Sequence, residues 1–206
     1  MAALKVILAS ASPRRKELLG QLIDSFDIQT ADIDESPLLN EAPKHLVARL
    51  AKEKARKIFD SHPQHLVIGS DTIVALGNRI FGKPKDRSDS INILRTLSGK
   101  EHEVLTSIAV FAPMPLSTNT AKASTGLQAP FFISKTVKTS IEFACLSDEQ
   151  IIKYWRSGEP QDKAGSYAIQ GLGGEFVKEI KGSYSSVVGL PLYEMREILT
   201  QLGVEK

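Results

Sequence analysis

Short apolar runs alternate along the chain with longer stretches of helical period, and the alternation predicts the elements. Residues 5–9 (KVILA) form an apolar run of strand length. Ser12 and Pro13 follow, a capping hydroxyl and a proline suited to a first turn, so a helix is predicted over 13–22. Residues 26–31 (FDIQTA) predict a second strand, and Pro43 opens a long helix to about residue 59. Residues 67–74 (VIGSDTIV) are a strong strand candidate, and Gly77-Asn78 marks a hairpin returning through residues 79–81. A helix over 88–97 stops at Ser98-Gly99, and strands follow at 103–111 and 135–144. A helix at 148–156, a strand at 176–180 and a closing helix at 192–202 complete the order. Strand and helix alternate, which predicts an α/β fold: a mixed central sheet flanked by helices, bilobed around a cleft.

Residues 112–130 (APMPLSTNTAKASTGLQAP) break the pattern. They are rich in Pro, Ser, Thr and Ala without a period, and read as a long exposed connection between two strands. Neither an internal repeat nor a linker interrupts the rest, so residues 1–206 are expected to form one domain.

Composition narrows the partners. Hydrophobic content of 42% and charged content of 24% are those of a soluble globular protein. A net charge of +2 over 206 residues is too small for general attraction to nucleic acid or an acidic membrane. An anion would have to bind a local cluster. The single Cys145 excludes an intrachain disulfide and suits a reducing compartment. His45, His62, His65 and His102 lack the spacing of a zinc site. No run reaches the ~18 apolar residues of a membrane helix. A cytoplasmic protein is expected.

Several charges sit where they cost something. Arg14, Arg15 and Lys16 follow Ser12-Pro13 at a helix start, where the helix dipole disfavours cations. Either they splay into solvent or they serve an anion, together with the free N–H groups of that helix end. Lys54 lies four residues after Leu50 and four before Ile58, on the apolar face of its helix. It must snorkel to an edge or face negative charge. Asp71 lies inside the apolar run 67–74 and needs a cation, a metal or a role as a perturbed base; pairing with an arginine is the purely structural reading. Glu35, with Asp32 and Asp34 beside it, follows another strand and with Asp71 could offer the oxygen ligands that Mg²⁺ or Mn²⁺ takes. Lys83 stands between Gly82 and Pro84, and Lys163 opens a glycine-rich segment through Gln170 to Gly174 that is neither a P-loop nor a dinucleotide fingerprint. Gln170 can both donate and accept, as a base-reading side chain must. Phosphate-suited cations with a pair of carboxylates fit a polyphosphate and a divalent metal.

The ordered motifs Ser10-Ala11-Ser12-Pro13-Arg14-Arg15, Asp34-Glu35, Glu53-Lys54-Ala55, Ser70-Asp71-Thr72-Ile73-Val74, Gly82-Lys83-Pro84, Asp162-Lys163-Ala164-Gly165, Ile169-Gln170-Gly171, Gly182-Ser183-Tyr184 and Val187-Val188-Gly189-Leu190-Pro191-Leu192 resemble the Maf family of nucleoside triphosphate pyrophosphatases. The resemblance spans nearly the whole chain. It implies hydrolysis between the α and β phosphates, a divalent metal (Mg or Mn) on Glu35 and Asp71, and a cytoplasmic homodimer. It implies catalytic roles for Asp71, Glu35, Lys54 and Lys83. It implies substrate binding by Ser10, Arg14, Arg15, Thr72, Lys163 and Gln170. Arg14, Thr72 and Gln170 match the branch preferring dTTP and UTP. A nucleotide-binding regulator of cell division with little turnover is the alternative. Thr72 follows Asp71 and should face the other side of the strand, so the resemblance requires the strand to end near Asp71.

Overall fold

The computed structural model describes residues 4–113 and 129–204. Its elements are β1 (Val6–Leu8), α1 (Pro13–Gly20), β2 (Asp27–Ile28), α2 (Pro43–Ser61), β3 (Leu66–Leu76), β4 (Arg79–Phe81), α3 (Arg87–Leu97), β5 (Glu101–Ala112), β6 (Phe131–Phe143), α4 (Asp148–Arg156), β7 (Val177–Lys181), α5 (Tyr184–Val188) and α6 (Leu192–Gln201). Three short 3-10 turns, Glu159–Asp162, Ala164–Ser166 and Leu172–Phe176, lie between α4 and β7. Of the connection expected at 112–130, residues 114–128 lie outside the described residues.

Seven strands form one mixed sheet in the order β2-β1-β3-β5-β6-β7, with β4 also paired to β3. β1 is parallel to β2 and β3, and the other pairs are antiparallel. The α/β architecture expected from the alternation is present. Two differences fall at the ends of elements and one is an added element. The strand expected at 26–31 contracts to Asp27–Ile28, because only Ile7 and Leu8 of the short β1 are there to pair with it. β6 begins four residues earlier than expected, since Phe131 to Ser134 continue its ladder with β5. The five-residue α5 was not expected; it is capped by Ser183 Oγ, which accepts from Ser186 N–H.

The parity of β3 sorts the core. Val67 and Ile73 face α2 and pack with Ala51, Ala55, Ile58, Leu46 and Leu50. Leu66 and Ile68 face the other way, into a cluster with Leu19, Met195 and Ile198 of α1 and α6. Val74 on that second face joins a separate cluster with Leu94, Phe143, Ile151 and Tyr154 of α3, β6 and α4. Between these two clusters runs a band of hydroxyls, the buried Ser70, Thr106, Thr139 and Ser186 with the half-buried Thr72. Thr72 Oγ1 and Thr106 Oγ1 are 2.9 Å apart, Thr106 donates to Ser186 O at 2.6 Å, and Thr139 Oγ1 meets Ser186 Oγ at 2.9 Å.

On its outer edge β3 pairs with β1 at residues 66–68 and with β4 at residues 74–76. Among the described residues no strand covers that edge at 69–73, while the inner edge pairs with β5 continuously from Val67 to Ala75. The sheet therefore has a notch in its side, and the cleft opens there.

Candidate active site

The cleft has a volume of about 960 Å³ and is lined by all ten residues singled out above: Ser10, Arg14, Arg15, Glu35, Lys54, Asp71, Thr72, Lys83, Lys163 and Gln170. Lys85 and Asp162 also reach it, so six cations meet three carboxylates. The formal charge of the cleft, about +3 by this count, exceeds the +2 of the entire chain.

Its floor on the α2 side is a triad of charges. Gly69 lets α2 approach β3: a Cβ there would lie 2.3 Å from Ala51 O and 2.8 Å from Ala55 N. That approach places Lys54, one residue before Ala55, over Asp71, two residues after Gly69. Lys54 Nζ donates to Asp71 Oδ1 at 2.6 Å and lies 2.7 Å from Glu35 Oε1. Lys54 is only 8% exposed and Asp71 only 6%, so Lys54 does not snorkel and Asp71 is paired with a lysine, not an arginine. Glu35 is held by its loop: Arg49 takes the Glu41 carboxylate in a fork at 2.8 and 2.9 Å and also donates to Ser36 O at 2.9 Å. Of the acidic trio only Glu35 reaches the cleft. Asp34 Oδ1 accepts from Ser36 N–H, and the Asp32 carbonyl accepts from Lys57.

Burial raises the Asp71 pKa, against the opposing pull of Lys54 and Arg15. At Glu35 burial also acts to raise the value, but the hydrogen bond and charge of Lys54, with Lys83 and Arg15, hold it below the usual glutamate range. Two carboxylates on one ammonium are thus pushed apart in proton affinity, one toward a base and one toward a permanent anion.

The opposite wall is built around Arg15. Ser12 caps α1 by accepting from Arg15 N–H at 3.4 Å. The Arg15 guanidinium then donates to Gly189 O at 2.9 Å, Ser10 Oγ at 3.2 Å and Thr72 Oγ1 at 3.2 Å. Burial lowers its pKa, with Asp71 pulling it back. No carboxylate lies within salt-bridge distance of it among the described residues. Arg14 is half-buried on the cleft wall, whereas Lys16 turns to solvent.

Thr72 requires a correction. The strand does not end near Asp71; β3 runs five residues further, to Leu76, without a bulge in its pairing with β5. Asp71 and Thr72 do point to opposite faces. Both line the cleft because it opens through the notch in the sheet edge and reaches both faces. Thr72 Oγ1 is already committed to Arg15 and Thr106.

The remaining cations come from loops. Gly165 N–H donates to Gly82 O at 3.1 Å, tying the segment that carries Lys163 to the loop that carries Lys83. Lys163 pairs with the neighbouring Asp162. Gln170 is exposed on the rim of the cleft. Sequence reasoning passed over Ser70, whose Oγ donates to Gly189 O at 3.0 Å, and Thr106, because a hydroxyl inside a strand carries no signal of its partner. It also passed over Glu159 and Tyr154, considered below.

A mixed α/β sheet notched at one edge, with a cation-rich cleft over a lysine shared by two carboxylates, defines a site for a polyanionic small molecule. A family model described as Maf-like protein matches residues 5–202, and the chain belongs to that family. It is 49% identical over 195 residues to the dTTP/UTP pyrophosphatase of Pseudoalteromonas translucida, covering 94% of this chain and 95% of that one. It is 47% identical to the dTTP/UTP pyrophosphatase of Shewanella sp. (strain MR-7), covering 98% and 100%. A HAM1 protein from Coxiella burnetii superposes with a TM-score of 0.44 at 16% identity, covering 96% and 99%. The fold assignment rests on the sheet itself and not on that superposition.

Proposed function

We propose that this protein is a nucleoside triphosphate pyrophosphatase that hydrolyses dTTP and UTP to the monophosphate and pyrophosphate. The carrying observation is the Lys54 ammonium bridging Asp71 and Glu35 on the floor of a cleft that concentrates positive charge. The names of relatives at 43–49% identity over nearly full length support the substrate pair.

Asp71, with its raised pKa, takes a proton from the attacking water, whose oxygen adds to the α phosphorus as the bond to the bridging oxygen breaks. Pyrophosphate leaves with that oxygen. Lys54, Lys83, Lys163 and Arg14 supply cations for the charge that builds on the phosphate oxygens. Arg15, with its donors directed to Gly189, Ser10 and Thr72, holds the wall against which the substrate lies.

The donor set fits a hard divalent ion. Glu35 and Asp71 are oxygen donors of the kind Mg²⁺ and Mn²⁺ accept, and no group of three acidic, His or Cys side chains suited to a metal occurs among the described residues. Two carboxylates with the remaining positions left to phosphate oxygens and water is the usual way such sites hold Mg²⁺. Glu35 and Asp71 would hold the ion, which when bound neutralises charge on the phosphates. A cytoplasmic homodimer belongs to the same reading, supported by the family resemblance. No helix among the described residues is long and apolar enough to cross a membrane.

Incubation of the purified protein with a panel of nucleoside triphosphates and Mg²⁺ or Mn²⁺ tests the proposal. Pyrophosphate and monophosphate are the expected products, with dTTP and UTP ahead of CTP and the purine nucleotides by at least about tenfold. Orthophosphate, or no product, would overturn the reaction; GTP or ATP as best substrate would overturn the base assignment alone.

A further inference from the structure

Gln170 stands at the turn of a glycine-rich segment, and a segment of that composition does not hold a side chain still by itself. Here one carboxylate anchors the backbone on either side of it. Glu159 Oε1 accepts from Tyr154 Oη at 2.7 Å and from Gly173 N–H at 3.0 Å, and Oε2 accepts from Leu172 N–H at 2.9 Å. The Tyr154 hydroxyl in turn accepts from Ala168 N–H at 3.1 Å. The anchored positions bracket Gln170, two residues before it and two and three after. The glycines are the room this arrangement needs: a Cβ on Gly171 would lie 2.1 Å from Glu159 Oε2, and one on Gly173 2.6 Å from the Tyr154 hydroxyl. Glu159 does not line the cleft.

We infer that Glu159 is a positioning residue that fixes where Gln170 stands and thereby sets which base the cleft accepts. The inference rests on the pyrimidine triphosphate reading above for its choice of probes. Discrimination between bases by hydrogen bonds sharpens when the backbone that carries the reading group is fixed before the ligand arrives; on a mobile backbone a glutamine adapts more easily to either pattern of donors and acceptors. Glu159→Gln keeps the volume but sets an amide donor against the backbone N–H groups, so at least one anchor is lost.

The test measures binding of the non-hydrolysable α,β-imido analogues of dTTP and dCTP by calorimetry, alongside kcat and KM for dTTP. Wild type is expected to prefer the dTTP analogue by about tenfold or more, and Glu159→Gln to bring the two within about threefold, raising KM for dTTP while kcat changes less. Gln170→Ala should give the same loss of preference, and the double variant no more than either alone, since both act through one side chain. If Glu159→Gln does not fold, Tyr154→Phe, which frees the Ala168 anchor, is measured in its place and should also lose preference. Retained preference in a folded variant, additive losses in the double variant, or equal binding of the two analogues by wild type would overturn the inference. Preference for the dTTP analogue without pyrophosphate release would overturn the enzymatic reading and leave the role of Glu159 standing.

Discussion

Asp71 and Thr72 are consecutive residues of one strand, yet they belong to networks of different kind. Asp71 sits in a charged group, with one ammonium serving two carboxylates and the whole group beneath α2. Thr72 sits in a band of hydroxyls and carbonyls on the other face, where Arg15 is bound by neutral acceptors. A buried charge pair is sensitive to the loss of either partner, because the survivor is left uncompensated. Hydrogen bonds to neutral acceptors are lost roughly one at a time. The first arrangement suits groups whose protonation must change during a reaction; the second suits a wall that must not move.

The largest effect should come from Asp71→Asn. An amide of similar volume cannot take a proton, and a loss of ~10²–10⁴ in kcat is expected with the fold retained. In wild type, kcat/KM should fall as the pH drops through the raised Asp71 pKa, so the acid limb lies above the ordinary aspartate value of 3.8. A variant within about threefold of wild type would remove Asp71 from the role of base.

Lys54→Met comes next. It should cost more than about tenfold in kcat/KM. It should also destabilise the fold by about 3–5 kcal/mol at neutral pH, because Asp71 loses its ammonium. The folded carboxyl then holds its proton more tightly than the unfolded one. The deficit should therefore shrink as the pH is lowered through the Asp71 pKa, which a series of urea titrations would follow. A deficit independent of pH would break the assignment of Asp71 and Lys54 as one unit.

His102 provides the control that separates activity from stability in acid. It is buried beside Tyr167, and burial lowers its pKa from 6.5 to about 4. Its neutral form is favoured in the folded state, so its contribution is complete above pH 6.5 and is lost as the pH falls from there towards 4. The loss amounts to about 3 kcal/mol, read as a fall in Tm that His102→Phe should flatten. The acid limb of activity should survive in that variant.

The smallest effect belongs to the hydroxyl band. Thr106→Val removes the donor to Ser186 O and the partner of Thr72, and should cost about 1–3 kcal/mol of stability. Its kcat should stay within about threefold of wild type. A loss of turnover as large as that of Asp71→Asn would erase the distinction between the two networks.

What was legible in the sequence follows the same division. Charges that cost energy announce themselves: Lys54 on an apolar helix face and Asp71 within an apolar strand both pointed to a partner, and each turned out to be the other's. Helices with proline starts and strands of six or more residues were readable for the same reason, since period and punctuation are local. The hydroxyl band was not readable. Ser70, Thr106, Thr139 and Ser186 are ordinary residues at ordinary strand and turn positions, and their partners lie 44 or more residues away in several cases. Nor was the notch in the sheet, because strand length is local but the lateral extent of pairing depends on how short β1 and β4 are. That is why a strand passing through the site could be mistaken for one that ends there.

The notch gives β3 a property that no single side chain has: the site is encoded in parity. Even-numbered residues of β3 look away from α2, Leu66 and Ile68 towards α1 and α6 and Val74 towards α3 and α4; odd-numbered ones look towards α2, and the cleft reads both. Adding or deleting one residue ahead of Ser70 within the strand would exchange the two sides at once, presenting a hydroxyl to Lys54 and a carboxylate to Arg15. Point substitutions can be absorbed one network at a time. A frame error of one residue in this strand cannot, so length in β3 should prove far less forgiving than composition.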